Sequence, residues 1–341
     1  MSPALSFATS GYPECAPELI AFRNANREIP RDRAYFDWRY LGRPCAATPI
    51  VVWAELGSEP VGALTICPHD FHVLEAERIV GVMGDISVRR ESRGLGIAAA
   101  MFNFLPQIDA VRDLHGCLVL PNEGAAAPLS RSGWKEAHRI ERFAKVLDFQ
   151  PRLARLMPRR WAGILAAPLN VLARALSHET AHRATRLRAA IVSQVDDRFD
   201  ELWRRADKQG RIIGLRNARY LRWRYQQHPM TTYHKLAMTE GETLSGYAIY
   251  RVAEGTCFVE DIFCIDASHA VAVVSLLLMH LREQGSVSTV SLGINRSAMD
   301  RPWRPLGFSR RRDFQRTMIS GGAGWGGTSA AWHLTSGDKD V

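Results

Sequence analysis

The chain contains two related halves. The segment YFDWRY at residues 35–40 returns as YLRWRY at residues 220–225, and a proline follows each copy, at Pro44 and Pro229. Downstream the order of elements repeats as well: EPVGALTI matches TLSGYAIY, GDISV matches EDIFC, and a long apolar segment then leads to a glycine-aromatic pair. Repetition on this scale indicates a duplicated fold.

The duplication sets the expected domain organisation. We predict a first domain at residues 1–150, a helical connector at 151–190 and a second domain at 191–341. A chain of 341 residues with 46% hydrophobic content is long enough to give each domain its own core. The six cysteines form no CxxC pair, so we expect reduced, mostly buried thiols, and no metal site is predicted.

The two halves serve as controls for each other. Features that both halves keep are expected to belong to the scaffold, whereas features of one half alone are candidates for chemistry. When Asp85 is aligned with Asp261, Gly94 and Gly96 of the first half stand opposite alanines in the second. The second half has therefore lost two glycines that the first half retains.

The repeated segment carries aromatic and cationic side chains of the kind found in binding sites. Trp38 and Arg39 of the first copy are matched by Trp223 and Arg224 of the second. Because they are duplicated, we predict that these residues anchor a packed helix rather than contact a substrate.

The glycines found only in the first half lie in RRESRGLGIAAAM, residues 89–101. The preceding VGVMGDISV predicts a buried strand, and IAAAMFNFL predicts a helix. Glycine allows backbone conformations that other residues avoid, and the free N–H groups at a helix N-terminus attract phosphate. Arg89, Arg90 and Arg93 add positive charge. The segment therefore predicts a pyrophosphate-binding turn.

A second motif follows the next predicted strand. In PNEGAAAPLSRSGW, residues 121–134, Asn122 is followed by Ala125 and then by Gly133-Trp134. Together with the glycine turn, this stretch resembles the two signature motifs of the GCN5-related N-acetyltransferase (GNAT) superfamily. The second half resembles the same fold in degenerate form. Its Tyr-x-x-Trp-Arg-Tyr segment and the ending WHLTSGDKD are similar to double-domain acyltransferases of bacterial polysaccharide and surface-glycan functions.

The resemblance implies an α/β (α+β) fold of tandem GNAT-like domains, each a mixed, mostly antiparallel, splayed sheet flanked by helices. It implies that acetyl-CoA or another acyl-CoA is the co-substrate and enters between strands at residues 84–88 and 115–120. Backbone groups near Ser87 and Val88 are expected to pair with the pantetheine arm, and Asn122 is expected near the pantetheine or the thioester. The residues expected to hold the pyrophosphate are Arg89, Arg93, Gly94, Leu95, Gly96, Ile97 and Ala98.

Three positions bear on the expected chemistry. Glu91 stands where the family pattern most often has Gln or Arg, which shifts charge neutralisation to the neighbouring arginines. Leu129 stands where many members carry a tyrosine that protonates the leaving thiolate, so Ser130, a water or the substrate is expected to supply that proton. Asp85 is the candidate general base; because Asp261 repeats it, a structural hydrogen-bonding role is the alternative.

The TICPHDFHV segment adds polar side chains that occur in the first half only. We predict that it forms a loop and that His69, Asp70 and His72 line the acceptor site there, with solvated loop residues as the alternative. The pair His69-x-x-His72 lacks a third ligand and is not expected to bind a metal.

The connector holds most of the net charge of +9, because eight arginines in it face one acid, Glu179. The rest of the chain is close to balanced, so no nucleic-acid partner is predicted. Pro158 and Pro168 are expected to break the connector into short helical pieces. One interpretation is a helix pair in weak contact with an anionic membrane surface. The other is an ordinary bridge whose apolar face packs on both domains.

The leading functional prediction is an acyl-CoA-dependent N-acyltransferase, in particular an N-acetyltransferase. It would act by direct transfer on an amine of a small metabolite, an amino sugar, a sugar nucleotide or a lipid-linked glycan. The alternatives are an aminoacyl-tRNA-dependent transferase of related tandem fold and a non-catalytic CoA-binding module, which Leu129 favours. The sequence has no membrane-spanning run or leader, so we expect a cytoplasmic protein, with a peripheral position at the inner membrane face under the lipid interpretation.

Overall fold

The computed structural model describes residues 4–180, 186–295, 303–321, 325 and 331–339. From residue 4 onward, where the description begins, the first half contains six strands and five α-helices. These are β1 (Leu5–Gly11), α1 (Ala16–Ala25), α2 (Arg33–Tyr40), β2 (Ile50–Leu56), β3 (Glu59–Leu74), β4 (Ala76–Val88), α3 (Ile97–Phe104), α4 (Asp109–Arg112), β5 (Cys117–Val119), α5 (Glu123–Arg131) and β6 (Lys135–Val146). The connector forms α6 (Gln150–Leu153) and α7 (Arg159–Ala175).

The second half follows a similar order, and its first strand begins within the range predicted for the connector. Its described elements are β7 (Leu187–Val192), α8 (Arg198–Arg205), β8 (Arg211–Gly214), α9 (Ala218–Leu221), β9 (His234–Glu240), β10 (Thr243–Ala253), β11 (Thr256–Cys264), α10 (Ala267–Gln284), β12 (Thr289–Asn295), β13 (Ser309–Ser320) and β14 (Ala331–His333).

The repeated segments begin their helices in the same way. Asp32 caps α2 by accepting a hydrogen bond of 2.9 Å from the backbone N–H of Tyr35. Asn217 caps α9 by accepting one of the same length from the N–H of Tyr220. Such caps satisfy one of the free N–H groups of the first turn and contribute about 1 kcal/mol each. The duplicated tyrosine therefore marks the same turn of the same helix in both halves.

The two halves form one continuous sheet by exchanging a strand. The strand order is β1-β2-β3-β4-β5-β13-β6-β12-β11-β10-β9-β7. The last strand of the first half, β6, pairs with β12 of the second, and β13 of the second half pairs with β5 of the first. β6 and β13 also pair with each other in antiparallel orientation. Each half thus has its own mixed, mostly antiparallel sheet, as the sequence predicts, but each sheet is completed by a strand from the other half.

The duplicated tryptophans meet between the halves. The indole rings of Trp38 and Trp223 stack with centroids 5.5 Å apart. The indole Nε1–H of Trp38 donates to the backbone oxygen of Trp223 at 2.9 Å, and the Nε1–H of Trp223 donates to the backbone oxygen of Trp38 at 2.7 Å. These reciprocal hydrogen bonds relate the two halves by an approximate two-fold symmetry. The two tryptophans therefore pack against each other, as their repetition predicts.

Each sheet packs against a helix of its own half. Ile97, Met101 and Phe102 of α3 are buried against the first sheet, and the apolar side of α10 is buried against the second. Burial of a side chain of this size contributes about 1.5–3 kcal/mol. All six cysteines are buried and unpaired, as expected.

The connector departs from its predicted structure in two respects. α7 continues through Pro168, so the predicted break there is wrong. Pro168 is exposed, and solvent can therefore hydrogen-bond the carbonyl that loses its helical partner. The predicted bridge, with its apolar face packed on both domains, is also wrong: α7 buries Ala162 and Ala166 and leaves its large apolar side chains exposed.

Candidate active site

A cleft opens where β4 and β5 separate. The two strands pair in parallel only from Gly81–Met83 to Cys117–Val119. Beyond this point β4 carries a bulge, with a shift in its register to β3 and a positive φ of 49° at Asp85. The resulting cleft has a volume of about 470 Å³ and lies between Gly84–Val88 and Leu120–Asn122. The strands therefore separate at the predicted place.

The glycine turn lies at the start of α3, whose residue Ala98 lines the cleft. Gly94 and Gly96 have φ values of +85° and +77°, which side chains disfavour, and a Cβ on either would meet nothing within 4 Å. The first helical hydrogen bond runs from the N–H of Ala100 to the carbonyl of Gly96, so the preceding N–H groups of α3 have no helical partner. Open space beside free N–H groups suits a pyrophosphate.

The charged side chains of the turn differ in their surroundings. Arg89 forms an ion pair with Glu59, and the carboxylate partly neutralises the charge of the Arg89 guanidinium. Arg93 donates from Nε to the carbonyl oxygen of Val88 at 3.2 Å and is otherwise exposed. Glu91 is exposed. Arg93 is therefore the better placed of the two predicted cations to neutralise a phosphate.

Asp85 is held by three side chains. Its Oδ1 lies 2.8 Å from Nη2 of Arg27, and its Oδ2 lies 2.8 Å from Nε of Arg39 and accepts a hydrogen bond of the same length from the hydroxyl of Tyr40. Burial alone would raise the pKa of this carboxyl, but Arg39, Arg23 and Arg27 outweigh burial and hold it well below the ordinary range. A carboxylate with both oxygens engaged and a lowered pKa is a weak base. This arrangement favours the structural alternative for Asp85.

Asn122 lies at the start of α5, and Leu129 and Ser130 lie in its last turn. Asn122 caps this helix by accepting from the N–H of Ala125 at 2.9 Å, and it lines the cleft as predicted. Leu129 is fully buried in the core. Ser130 is exposed and lines a neighbouring cleft instead of the one beside Asp85. The structure therefore does not bring Ser130 and Asp85 together.

His69 and His72 occupy strand β3, so the predicted loop is wrong. β3 is long because it pairs with β4 along one edge and with β8 of the second half along the other. His69 is buried with its ring 5.8 Å from that of Trp223, and burial lowers its pKa well below the ordinary value. Neither histidine is among the residues that line the cleft. The structure places them at the junction of the halves.

The connection between β11 and α10, which the structure describes in full, has no equivalent of the glycine turn. α10 begins at Ala267, directly after β11, and Asp266 occupies its N-cap position. The carboxylate of Asp266 accepts hydrogen bonds from the N–H groups of Ser268 and His269, at 2.8 and 3.2 Å. A carboxylate at this position satisfies the N–H groups that would hold a phosphate and repels an anion.

In the second half, β11 and β12 pair in parallel only from Thr256–Val259 to Thr289–Leu292. The second cleft, the space beyond this pairing, is filled by the segment at residues 331–339, the β14 segment. The carbonyl of Leu334 accepts from the N–H of Asn295 on β12 at 3.0 Å, and His333 Nε2 lies 2.9 Å from the carbonyl of Ile262 on β11. The hydroxyl of Thr335 donates to Asp261 at 3.1 Å. The chain itself therefore forms hydrogen bonds to both strands of the second half where a pantetheine arm would lie.

The β14 segment also reaches the first cleft. Buried Asp338 accepts hydrogen bonds of 2.6 and 2.7 Å from Arg216, and with the exposed Lys339 it lines the cleft between β4 and β5. Sequence reasoning did not find these two residues, because no local pattern shows that a segment 250 positions beyond β4 returns to it.

A larger, basic cleft of about 860 Å³ adjoins the first and shares Pro121, Asn122 and Lys339 with it. It lies between α5 and β13. The bulge in β13 between Arg310 and Phe314 carries Arg312 and Asp313 to its wall. The remaining charged residues that line it are Glu123, Arg131 and Arg316.

Comparison with known proteins supports this arrangement. Residues 13–133 match the model of the acetyltransferase (GNAT) family. A probable N-acyltransferase from Enterococcus faecalis V583 has a TM-score of 0.66 at 11% identity, covering 93% of this chain and 72% of its own. A GCN5-related N-acetyltransferase from Anabaena variabilis has a TM-score of 0.62 at 13% identity, covering 92% and 72%. A tandem GNAT protein from the clavulanic acid biosynthesis pathway has a TM-score of 0.51 at 14% identity, covering 93% and 98%.

No curated protein matches the sequence. Among the described residues, no helix is both long and apolar enough to cross a membrane. The family match covers the glycine turn and the motif from Asn122 to Gly133, and the structural likeness extends over both halves. The chain therefore has the tandem GNAT fold, and its residues 13–133 match the acetyltransferase (GNAT) family.

Proposed function

We propose that the first half transfers an acyl group, in particular acetyl, from acyl-CoA to an amine. The observation that carries this proposal is the glycine turn at the start of α3, which presents free N–H groups beside the cleft between β4 and β5. The described residues of the second half show neither an open cleft nor a glycine turn, so one acyl-CoA site per chain is expected.

The backbone of β4 offers the binding edge for pantetheine. Ser87 and Val88 pair with β3 on one side, while the pairing to β5 has already ended at Met83. Their other edge therefore faces the cleft and suits an extended amide chain. Arg23 donates a hydrogen bond of 3.1 Å to the Ser87 hydroxyl oxygen. The ligand is therefore expected to bind the backbone N–H and C=O groups of this strand and not the serine side chain. When bound, acyl-CoA supplies an activated thioester.

The residues of the chain contribute mainly by holding and orienting the reactants. The amine must lose a proton before it attacks, but the lowered pKa of Asp85 makes that carboxylate a poor acceptor. Leu129 cannot protonate a thiolate. Correct placement of two reactants supplies about 7–11 kcal/mol of barrier reduction in well-oriented systems, which makes positioning the larger effect. We infer that water in the open cleft carries the protons.

The basic cleft is the proposed entry for the acceptor. Within it Arg316 is paired with Glu136 at 3.0 Å, and Asp313 is paired with Arg142 at 2.5 Å. Arg312 remains as an exposed cation on the wall, together with Arg131 and the shared Lys339. This charge pattern suits an acceptor that carries an anionic group beside its amine, such as an amino-sugar nucleotide or a phosphate-linked glycan.

We expect the double substitution Arg312→Gln, Lys339→Gln to raise the KM for an anionic acceptor about tenfold, because each charged contact is worth about 1.5–3 kcal/mol when fully formed and less when exposed. The KM for acetyl-CoA should stay within about twofold. Steady-state kinetics with a sugar-nucleotide amine and with the corresponding neutral amino sugar measures both values.

Arg219→Gln, an exposed arginine of α9 outside this cleft, is the control and should leave both KM values unchanged. An unchanged KM for the anionic acceptor in the double variant would contradict the acceptor assignment alone.

The proposed function itself is tested by thiol release from acetyl-CoA in the presence of an amine panel, with calorimetry of CoA binding alongside. Binding with acyl transfer to at least one amine supports it. Binding without turnover on any amine favours a CoA-binding module. The burial of Leu129 and the ion pair of Asp85 with Arg39 are consistent with that alternative. Absence of binding by the folded protein would refute both.

A further inference from the structure

Helix α7 turns its large apolar side chains to solvent. The residues that it buries are the small Ala162 and Ala166, and Asn170 on the same side bonds to Asp148 and to the backbone of Phe149. The exposed large apolar residues range from 40% exposed at Leu169 to 82% at Leu156, just before the helix. They are Leu156, Trp161, Ile164, Leu165, Leu169, Val171, Leu172 and Leu176.

These side chains form a stripe along the helix. Trp161, Ile164, Leu165, Leu172 and Leu176 follow the spacing of three and four residues that places side chains on one face. In a helix of a soluble domain this face normally meets the core, whereas here the core side is occupied by alanine. A continuous apolar surface of this kind marks an interaction site.

The charges around the stripe are positive. Arg152 and Arg155 lie before α7, Arg159 and Arg160 in its first turn and Arg174 in its last turn; all five are exposed. The guanidinium of Arg160 lies 5.7 Å from the centroid of the indole of Trp161. Cations beside an exposed tryptophan are typical of helices that lie at a membrane surface.

The acids near α7 are directed inward. Asp148 accepts hydrogen bonds from the N–H of Gln150 at 3.0 Å and from the side chain of Asn170 at 2.8 Å. Glu179 is fully buried and pairs with Arg282 at 2.7 Å and with Lys145 at 3.2 Å. The exposed side of residues 150–176 therefore carries cations and no carboxylate.

We propose that α7 lies flat on a bilayer surface that contains anionic lipids, with its apolar stripe at the boundary between headgroups and acyl chains and its arginines at the lipid phosphates. Charge complementarity selects this partner over a second copy of the chain. A two-fold contact between two α7 stripes would bring the arginines of both copies together, and like charges at an interface oppose association. The proposal is independent of the acyltransferase function.

Cosedimentation with vesicles of phosphatidylcholine alone, and of phosphatidylcholine with 30% phosphatidylglycerol, tests this. We expect full-length protein to sediment with the anionic vesicles, to stay in solution with the neutral ones, and to be released as salt is raised. Arg159→Gln, Arg160→Gln should weaken binding about 25-fold, since one arginine near an anionic surface contributes about fivefold. Ile164→Ser, Leu172→Ser should weaken it at least about tenfold.

Both variants should fold, because the side chains that they change lie in water in the free protein. Two matched controls remove the same groups elsewhere: Arg204→Gln, Arg205→Gln on α8, and Leu41→Ser, Met230→Ser at other exposed apolar positions. The controls should bind vesicles as the unmodified protein does.

Three results would overturn the proposal. They are no binding to anionic vesicles, equal loss in the controls and the α7 variants, and a dimer in sedimentation equilibrium that Ile164→Ser, Leu172→Ser converts to monomer. The last result would assign the stripe to contact between copies.

Discussion

We expect the double substitution Gly94→Asp, Gly96→Asp to lower the affinity for CoA at least about 100-fold. Both glycines have positive φ, and their Cβ positions open into free space beside the first N–H groups of α3. Two carboxylates would occupy that space. A unit charge 4 Å from a like charge near a protein surface is repelled by about 4 kcal/mol, which exceeds the 2.7 kcal/mol of a 100-fold change. Calorimetric titration with CoA measures the loss.

Gly241→Asp is the matched control. Gly241 lies between β9 and β10 with a φ of +61°, and a Cβ there also meets nothing within 4 Å. This variant therefore carries, at one position instead of two, the same kind of backbone strain, about 1–2 kcal/mol for a side chain in the left-handed region, and the same kind of charge, but far from the turn in sequence. It should bind CoA like the unmodified protein. Equal affinity in the Gly94, Gly96 variant would place the CoA site elsewhere.

The features that the sequence predicts correctly are local or repeated. The position of the strand separation follows from the family resemblance that the glycine turn and the motif beginning at Asn122 carry, and the structure ends the β4–β5 pairing at Met83. The packing role of Trp38 and Trp223 follows from their repetition alone. Neither inference needs knowledge of which distant segments meet.

The features that the sequence does not predict depend on long-range pairing. TICPHDFHV contains proline and polar residues, which favour a loop, but β4 and β8 pair with both edges of this segment and keep it extended. The exchange of β6 and β13 is likewise invisible, because both strands follow a glycine-aromatic pair and would fit either half. Tertiary pairing of this kind outweighs local propensity.

Because of the strand exchange, residues of the second half line the clefts of the first half. β13 belongs to the second half by sequence, yet it forms a wall of the basic cleft, and Nε2 of Gln315 on β13 bonds to the carbonyl of Pro121 at 2.5 Å. The β14 segment fills the second cleft and then carries Lys339 to the first. A duplicate that had lost its glycine turn would therefore still be needed to complete the proposed acceptor site.

The second large effect is expected at Asp85. Asp85→Asn should lower the free energy of unfolding by about 3–5 kcal/mol, because it removes the charge that balances nearly buried Arg39 and partly buried Arg27. Chemical denaturation followed by circular dichroism measures this. Asp261→Asn supplies the comparison, since Asp261 lies 3.0 Å from the buried Arg216 and accepts from the hydroxyl of Tyr247 at 2.9 Å in the half without a glycine turn.

The dependence on pH separates this role from that of a base. The folded pKa of Asp85 lies below the ordinary Asp value, so its contribution is fully present above about pH 4 and is lost as pH falls through the lowered folded pKa. Asp85→Asn should therefore remove part of the acid sensitivity of folding. Asp261→Asn should cost less stability, because Arg216 keeps its ion pair with Asp338. A stable Asp85→Asn variant that binds CoA but has lost turnover would instead make Asp85 the catalytic base.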